Sequence, residues 1–264
     1  MLLKNKVAVI YGAGGAIGGA VARAFAQEGA KLFLTGSRRA PLEAVAKDIQ
    51  SAGGAAEVAE VDALNEKAVD KHLQSVIGKA GRIDISFNAI GIPMEKIAGP
   101  SLAEMDAEMF FLPIAAYTRS YFLTARLAAR RMIQNKSGVI MTVTALNSRK
   151  GIPGAGGYGP SQAAKEALTR DLSVELAPHG IRVVDLRLNA IPETDTFREV
   201  FDVKAKPMGM TWEQFTQGYI AKTSHTQRVM MLEEPANMAV FMASDKASVM
   251  TGTAVNLTMG ALDD

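Results

Sequence analysis

VAVIYGAGGAIG, residues 7–18, decides the fold. A short run of apolar residues, Val7–Tyr11, reads as a buried strand. It runs straight into a glycine cluster and then into Ile17–Gln27, whose apolar residues recur at helical spacing. Strand, glycine turn and helix in that order let a phosphate group approach the helix N-terminus, where free N–H groups attract anions. Glycine is needed because it adopts backbone angles closed to other residues.

The same alternation continues outward from this stretch. Strand patterns fall at Lys31–Leu34, Val58–Val61, Ile83–Phe87, Val139–Val143, Ile181–Leu186 and Thr253–Leu257. Helical patterns fall at Leu42–Ile49, Glu66–Ile77, Ser161–Leu176 and Pro235–Ala243, with a long one from Leu102 to Ile133 that Pro113 should kink or divide. Continuous apolar strands separated by helices predict an α/β fold: a doubly wound parallel sheet in a three-layer α/β/α arrangement. No linker or composition break divides residues 1–264, which read as one dinucleotide-binding domain. The long irregular stretch at about 190–232 carries Phe197, Phe201, Met208, Met210, Trp212, Phe215 and Tyr219. It reads as a substrate lid, with a small satellite core as the plainer alternative and Met208 and Met210 as candidates to line an apolar pocket.

Composition narrows the partners. Of 264 residues, 48% are hydrophobic and 21% charged, the balance of a folded chain rather than a disordered one. A net charge of +2 with no like-charged block speaks against nucleic acid or an anionic membrane as partner. The absence of cysteine removes disulfides, thiolate metal sites and cysteine nucleophiles, and no His and carboxylate spacing suggests a metal. The start lacks a signal-peptide pattern and no stretch reaches the length of a membrane span, so a cytoplasmic protein is expected.

Which nucleotide the turn holds depends on the end of the second strand. An NAD site places a carboxylate there to bind the ribose hydroxyls. This chain reads Thr35-Gly36-Ser37-Arg38-Arg39, with no acid between Glu28 and Glu43. Arg38 or Arg39 can pair with a 2′-phosphate, with Ser37 as a further donor, which favours NADP and leaves NAD as the alternative.

With the glycine turn, Asp62, FNAIG at 87–91, Tyr158, ELAPHGIRV at 175–183 and MTGTAVNL at 250–257, the chain resembles the single-domain form of the short-chain dehydrogenase/reductase family. The likeness runs from Lys6 to about Gly260. It implies a Rossmann-like fold, a nicotinamide cofactor across the carboxyl edge of the sheet, a small-molecule substrate and a homo-oligomer, often a tetramer. By position, Gly12, Gly15, Ile17 and Gly18 would line the pyrophosphate. Asp62 and Ala63 would sit by the adenine, Asn88 by the adenosine ribose and Ile191 by the nicotinamide amide. Ala16 stands where the family has its middle glycine, Tyr11 for its threonine, Ile90 for a glycine, and Leu188-Asn189 for Pro-Gly.

The family pattern implies a tyrosine that exchanges a proton with the substrate oxygen, a lysine four residues on, a serine thirteen before and an asparagine on a preceding helix. Tyr158 stands in the tyrosine place, but Gln162 replaces the lysine, Ala145 the serine and, by spacing, Tyr117 the asparagine. Glutamine supplies no positive field to lower a phenol pKa, so alcohol oxidation should suffer more than carbonyl reduction.

Lys165, seven residues after Tyr158, lies on nearly the same helix face about 10.5 Å further along and is a candidate substitute; a surface lysine beside Glu166 and Arg170 is the plainer reading. Asn147 and Ser148 are freer to turn inward than Thr144. Tyr117 offers a second phenol, although packing is the usual role of an aromatic on such a helix. His72 and His225 read as solvated bystanders, and His179 as a helix-end cation.

The reading expected from these residues is an oxidoreductase, NADPH-preferring, that reduces a carbonyl or activated double bond of a small apolar substrate. The alternatives are a nucleotide-binding or scaffold protein of the same fold without turnover, and cofactor-independent chemistry such as elimination.

Overall fold

The computed structural model describes residues 1–263. Seven parallel strands form one sheet in the order β3-β2-β1-β4-β5-β6-β7. They are β1 (Val7–Tyr11), β2 (Lys31–Gly36), β3 (Ala55–Glu60), β4 (Ile85–Asn88), β5 (Gly138–Ala145), β6 (Ile181–Leu188) and β7 (Thr253–Leu257). The helices are α1 (Ala16–Gln27), α2 (Arg39–Ser51), α3 (Glu66–Ala80), α4 (Ala107–Asn135), α5 (Tyr158–Leu176), α6 (Asp195–Val200) and α7 (Glu233–Ala243).

Side chains alternate across each strand, so the sheet is covered on both faces. Ala8 and Ile10 of β1 join Val21, Phe25, Leu42, Val45 and Val240 in a core under α1, α2 and α7. Val7, Val9 and Tyr11 point the other way, into a core with Val69 and Leu73 of α3, Tyr121 and Met132 of α4, and Leu172 and Leu176 of α5. This is the Rossmann-like, three-layer arrangement that the sequence predicts. Strand order reverses between β1 and β4, which opens a crevice at the carboxyl ends of those strands, the place where such sheets bind ligands.

Pro113 does not divide the long helix. Helix α4 starts at Ala107, where the Asp106 carboxylate accepts from the N–H of Glu108 (2.9 Å) and Met109 (3.2 Å), and runs unbroken to Asn135. Pro113 lies only six residues past the first, so the one hydrogen bond it forfeits is lost near an end. Residues 102–105, expected to be helical, precede the Asp106 cap.

The 190–232 stretch is largely helical. Phe197, Phe201, Trp212 and Phe215 form their own small core there, with Phe197 and Phe215 stacked at 5.2 Å and Arg198 placed 4.4 Å from the Trp212 ring centre. Met210 belongs to that core, whereas Met208 is 78% exposed. The plainer satellite-core reading thus accounts for these aromatics. The stretch is tied down across the carboxyl edge: the Glu199 carboxylate accepts from Met94 N–H (2.8 Å) and Lys204 Nζ donates to Pro153 O (2.8 Å).

Candidate active site

The glycine turn sits at the carboxyl end of β1. Gly12 has φ +75°, and a Cβ there would fall 2.5 Å from Ala89 O, so both conformation and space demand glycine. A Cβ on Gly18 would collide with Gly12 O. Gly15 is the N-cap of α1 with no side-chain cap hydrogen bond, and no acidic residue lies in the first turn. The first N–H groups of α1, including that of Ile17, therefore lack any side-chain partner and face the crevice end of the fold, which fits a pyrophosphate. Ala16, in the place of a family glycine, begins the helix half-buried without displacing it.

Residues expected along the rest of a dinucleotide follow the same edge. Ser37, Arg38 and Arg39 are exposed where β2 passes into α2. Arg39 Nε donates to Glu43 (2.6 Å), whereas Arg38 makes no hydrogen bond or ion pair among the described residues. Asp62 is exposed and accepts from Leu64 N–H (2.9 Å), beside buried Ala63. Asn88 is buried, donating to Thr124 Oγ1 (3.0 Å) and accepting from Ile90 N–H (3.2 Å). Ile191 is buried past the end of β6.

Tyr158 opens α5. Gly157 makes its position possible, because a Cβ at 157 would run into the carbonyl oxygen of Phe110 in α4. The Tyr158 ring meets that of Tyr117 edge-on, with centres 5.7 Å apart and planes at 67°. Its hydroxyl has no hydrogen-bond partner among the described residues, and burial pushes its pKa well above the ordinary tyrosine value, with Tyr117 adding to the rise. Tyr117 is itself buried; its hydroxyl accepts from Ile92 N–H (3.3 Å), and burial pushes its pKa up to about 12 despite that bond.

The replaced partners are now placed. Gln162 is buried and its Nε2 donates to Ser161 Oγ (3.0 Å). Ala145 ends β5, half-buried and without a hydroxyl. Thr144, its neighbour, points away and donates to Asp185 Oδ2 (2.5 Å), as strand alternation requires.

Lys165 is not the surface lysine that reach alone suggests. It is 1% exposed, donates to Val143 O (2.5 Å), and its Nζ lies 5.7 Å from the Tyr117 ring centre and 5.9 Å from that of Tyr121. The side chain leans toward the helix N-terminus and slips between α5 and α4, where the aromatic rings receive it.

Behind these residues is a buried charged cluster that sequence reasoning missed. Glu166 accepts from Arg187 Nε (2.8 Å) and Nη2 (3.0 Å), a two-pronged pair with both members nearly inaccessible. Burial alone would raise the Glu166 carboxyl, but the Arg187 bonds hold it below the usual carboxylate range. Asp185 is fully buried; burial pushes its carboxyl up and the Lys165 ammonium down, each moderated by the other's charge. The available signal was three charges, Arg182, Asp185 and Arg187, inside a strand otherwise apolar, which a doubly covered sheet admits only with partners.

Of the histidines, His225 and His179 are exposed, but His72 is half-buried in α3 with Nε2 sealed from water and unpartnered, correcting its reading as solvated. Among the described residues no group of three His, Cys, Asp or Glu could hold a metal ion, and no helix is long and apolar enough to cross a membrane.

A doubly wound sheet with a glycine turn at its switch point and a tyrosine at the head of α5 defines a nucleotide-fold oxidoreductase class. Comparison with known proteins makes this specific: a family model described as enoyl-(acyl carrier protein) reductase matches residues 12–261, and the chain belongs to the short-chain dehydrogenase/reductase family. It is 30% identical over 260 residues to the uncharacterized oxidoreductase YxbG of Bacillus subtilis, covering 98% of this chain and 92% of that one. It is 28% identical to sorbitol-6-phosphate 2-dehydrogenase of Escherichia coli, covering 97% and 98%. Among solved structures, NAD+-bound xylitol dehydrogenase superposes with a TM-score of 0.90 at 26% identity, covering 98% of this chain and all of that one.

Proposed function

We propose that the protein is an NADPH-preferring reductase of a carbonyl or activated double bond in a small apolar substrate, with Tyr158 as proton donor. The observation that carries this reading is the Tyr158 hydroxyl, left without a protein partner at the crevice edge while its ring is fixed against Tyr117. NADPH, when bound, supplies the hydride. The glycine turn and the α1 N-terminus would hold its pyrophosphate and Arg38 its 2′-phosphate, with Ser37, Asp62, Ala63, Asn88 and Ile191 along the remainder. NAD in place of NADP is the alternative that Arg38 disfavours.

Tyr158 gives its proton to the substrate oxygen as that oxygen becomes an alkoxide or enolate, and the phenolate regains a proton from water. A phenol whose pKa is raised keeps its proton at neutral pH, so it serves as an acid and not as a base. Gln162 and Ala145 supply neither the cation nor the hydroxyl expected of their places, which biases the site toward reduction. The Tyr117 ring packed against Tyr158 gives the surroundings an apolar character that suits an apolar substrate. The pinned 190–232 stretch would serve as the cover, and a homo-oligomer acting in the cytoplasm accords with the family.

The test is a pair of measurements. NADPH should raise the melting temperature saturably, and Tyr158→Phe should abolish NADPH oxidation with a panel of aldehydes, ketones and enones while keeping that thermal response. Absence of any saturable response to nucleotide refutes the reading. A second reading, nucleotide binding without turnover, is favoured by the Gln162–Ser161 bond, which ties up the side chain in the lysine's place. Turnover lost in Tyr158→Phe would dismiss it.

A further inference from the structure

Accepting the reductase reading, the site still lacks a second donor to the substrate oxygen, because Ala145 has no hydroxyl. The other hydroxyls at this edge are committed or sealed. Thr142 donates to Asn88 O (3.1 Å), Thr144 to Asp185, and Ser161 to Tyr158 O (2.6 Å); Ser148 Oγ is shut away from solvent. Tyr117 differs. Its hydroxyl oxygen receives the N–H of Ile92, on the loop that follows β4 at the carboxyl edge, and its own proton has no acceptor among the described residues.

We propose that Tyr117 is a catalytic hydrogen-bond donor: with Tyr158 it forms a two-phenol cradle for the oxygen of a carbonyl or enone substrate, doing from α4 what a serine at 145 would do from β5. The ring centres stand 5.7 Å apart at 67°. The edge-on contact holds the two rings side by side, and neither hydroxyl proton is accepted by a described residue, so both are free for one substrate oxygen. Lys165 favours the arrangement. Its ammonium, 5.7 Å from the Tyr117 ring centre, packs over the ring and helps to fix the phenol in place. Burial keeps Tyr117 protonated across the physiological range, as a donor must be. Tyr158 alone transfers its proton; Tyr117 keeps its own and stabilises the developing charge.

Two readouts test this. In the binary complex with 4-(dimethylamino)cinnamaldehyde, without nucleotide, the probe's absorption should move to the red as its carbonyl is polarised. Tyr117→Phe and Tyr158→Phe should each remove about half of the displacement, and the double variant all of it. In turnover, Tyr117→Phe should lower kcat about 10²–10³-fold with little change in KM, the cost of one lost donor. Adding Ala145→Ser to Tyr117→Phe should recover at least about tenfold, because a hydroxyl returns to the same oxygen. Tyr117→Phe that melts like the wild type and retains both the red displacement and kcat overturns the proposal, as does a wild type that fails to move the probe spectrum. Loss of kcat without rescue and with an unchanged spectrum reduces Tyr117 to a packing residue. A missing thermal response to NADPH would instead sink the reductase reading, so the two failures are distinct.

Discussion

Replacing Arg38 with alanine should weaken NADPH binding about tenfold and leave NADH binding unchanged. Arg38 sits at the N-cap of α2, exposed and with no partner among the described residues, so nothing must be broken before it meets an anion. A hydrogen bond to a charged group contributes about 1.5–3 kcal/mol; solvent around Arg38 places it near the lower figure, which is about tenfold in Kd. The adjacent Arg39 supplies the control. Its guanidinium already pairs with Glu43 on the same helix face, so Arg39→Ala should alter NADPH affinity by less than about threefold. Titration calorimetry with NADPH and NADH on both variants reads the difference directly. Equal losses for the two nucleotides, or a larger loss in Arg39→Ala, would refute the assignment of the 2′-phosphate to Arg38.

Other outcomes follow from the same geometry. His72 is held neutral by burial, with Lys79 adding to the effect, and its pKa is lowered to about 4. Its contribution is complete above the unfolded value near 6.5 and is lost as pH falls through about 4, so urea melts should show the wild type losing about 3 kcal/mol more than His72→Leu over that window. Gly12→Ala must take φ +75° and press its methyl on Ala89 O; it should cost about 2 kcal/mol or more in denaturant melts and remove the thermal response to NADPH. Gln162→Lys with Ala145→Ser should raise kcat/KM for generic ketones by about 10²-fold, and no gain would mean a pocket built for another substrate.

The layers of this fold were legible because each strand is covered on both faces and therefore shows a continuous apolar run, and because the turn at Gly12 has no substitute for glycine. Element ends were less so. Residues 102–105 share the apolar spacing of α4, yet Asp106 caps the helix after them. The position of a candidate residue was legible where its place along the chain fixes its place in space, as for Tyr158 at the head of α5. Lys165 was misjudged because helical rise gives the distance along an axis and says nothing of the cleft between α5 and α4 into which a long side chain can fold. The Asp185, Glu166 and Arg187 cluster joins β6 to α5 across a layer, and no local spacing announces such a pairing.

Gly157 carries a consequence of its own. Because the head of α5 rests directly on the Phe110 carbonyl of α4, main chain against main chain, the phenol at 158 is registered by one helix upon another. The loop before it, residues 146–156, is anchored as well: Gly99 N–H donates to Gly154 O (3.2 Å) and Lys204 Nζ to Pro153 O (2.8 Å). A single methyl group at 157 would push the head of α5 off its seat and carry the phenol with it.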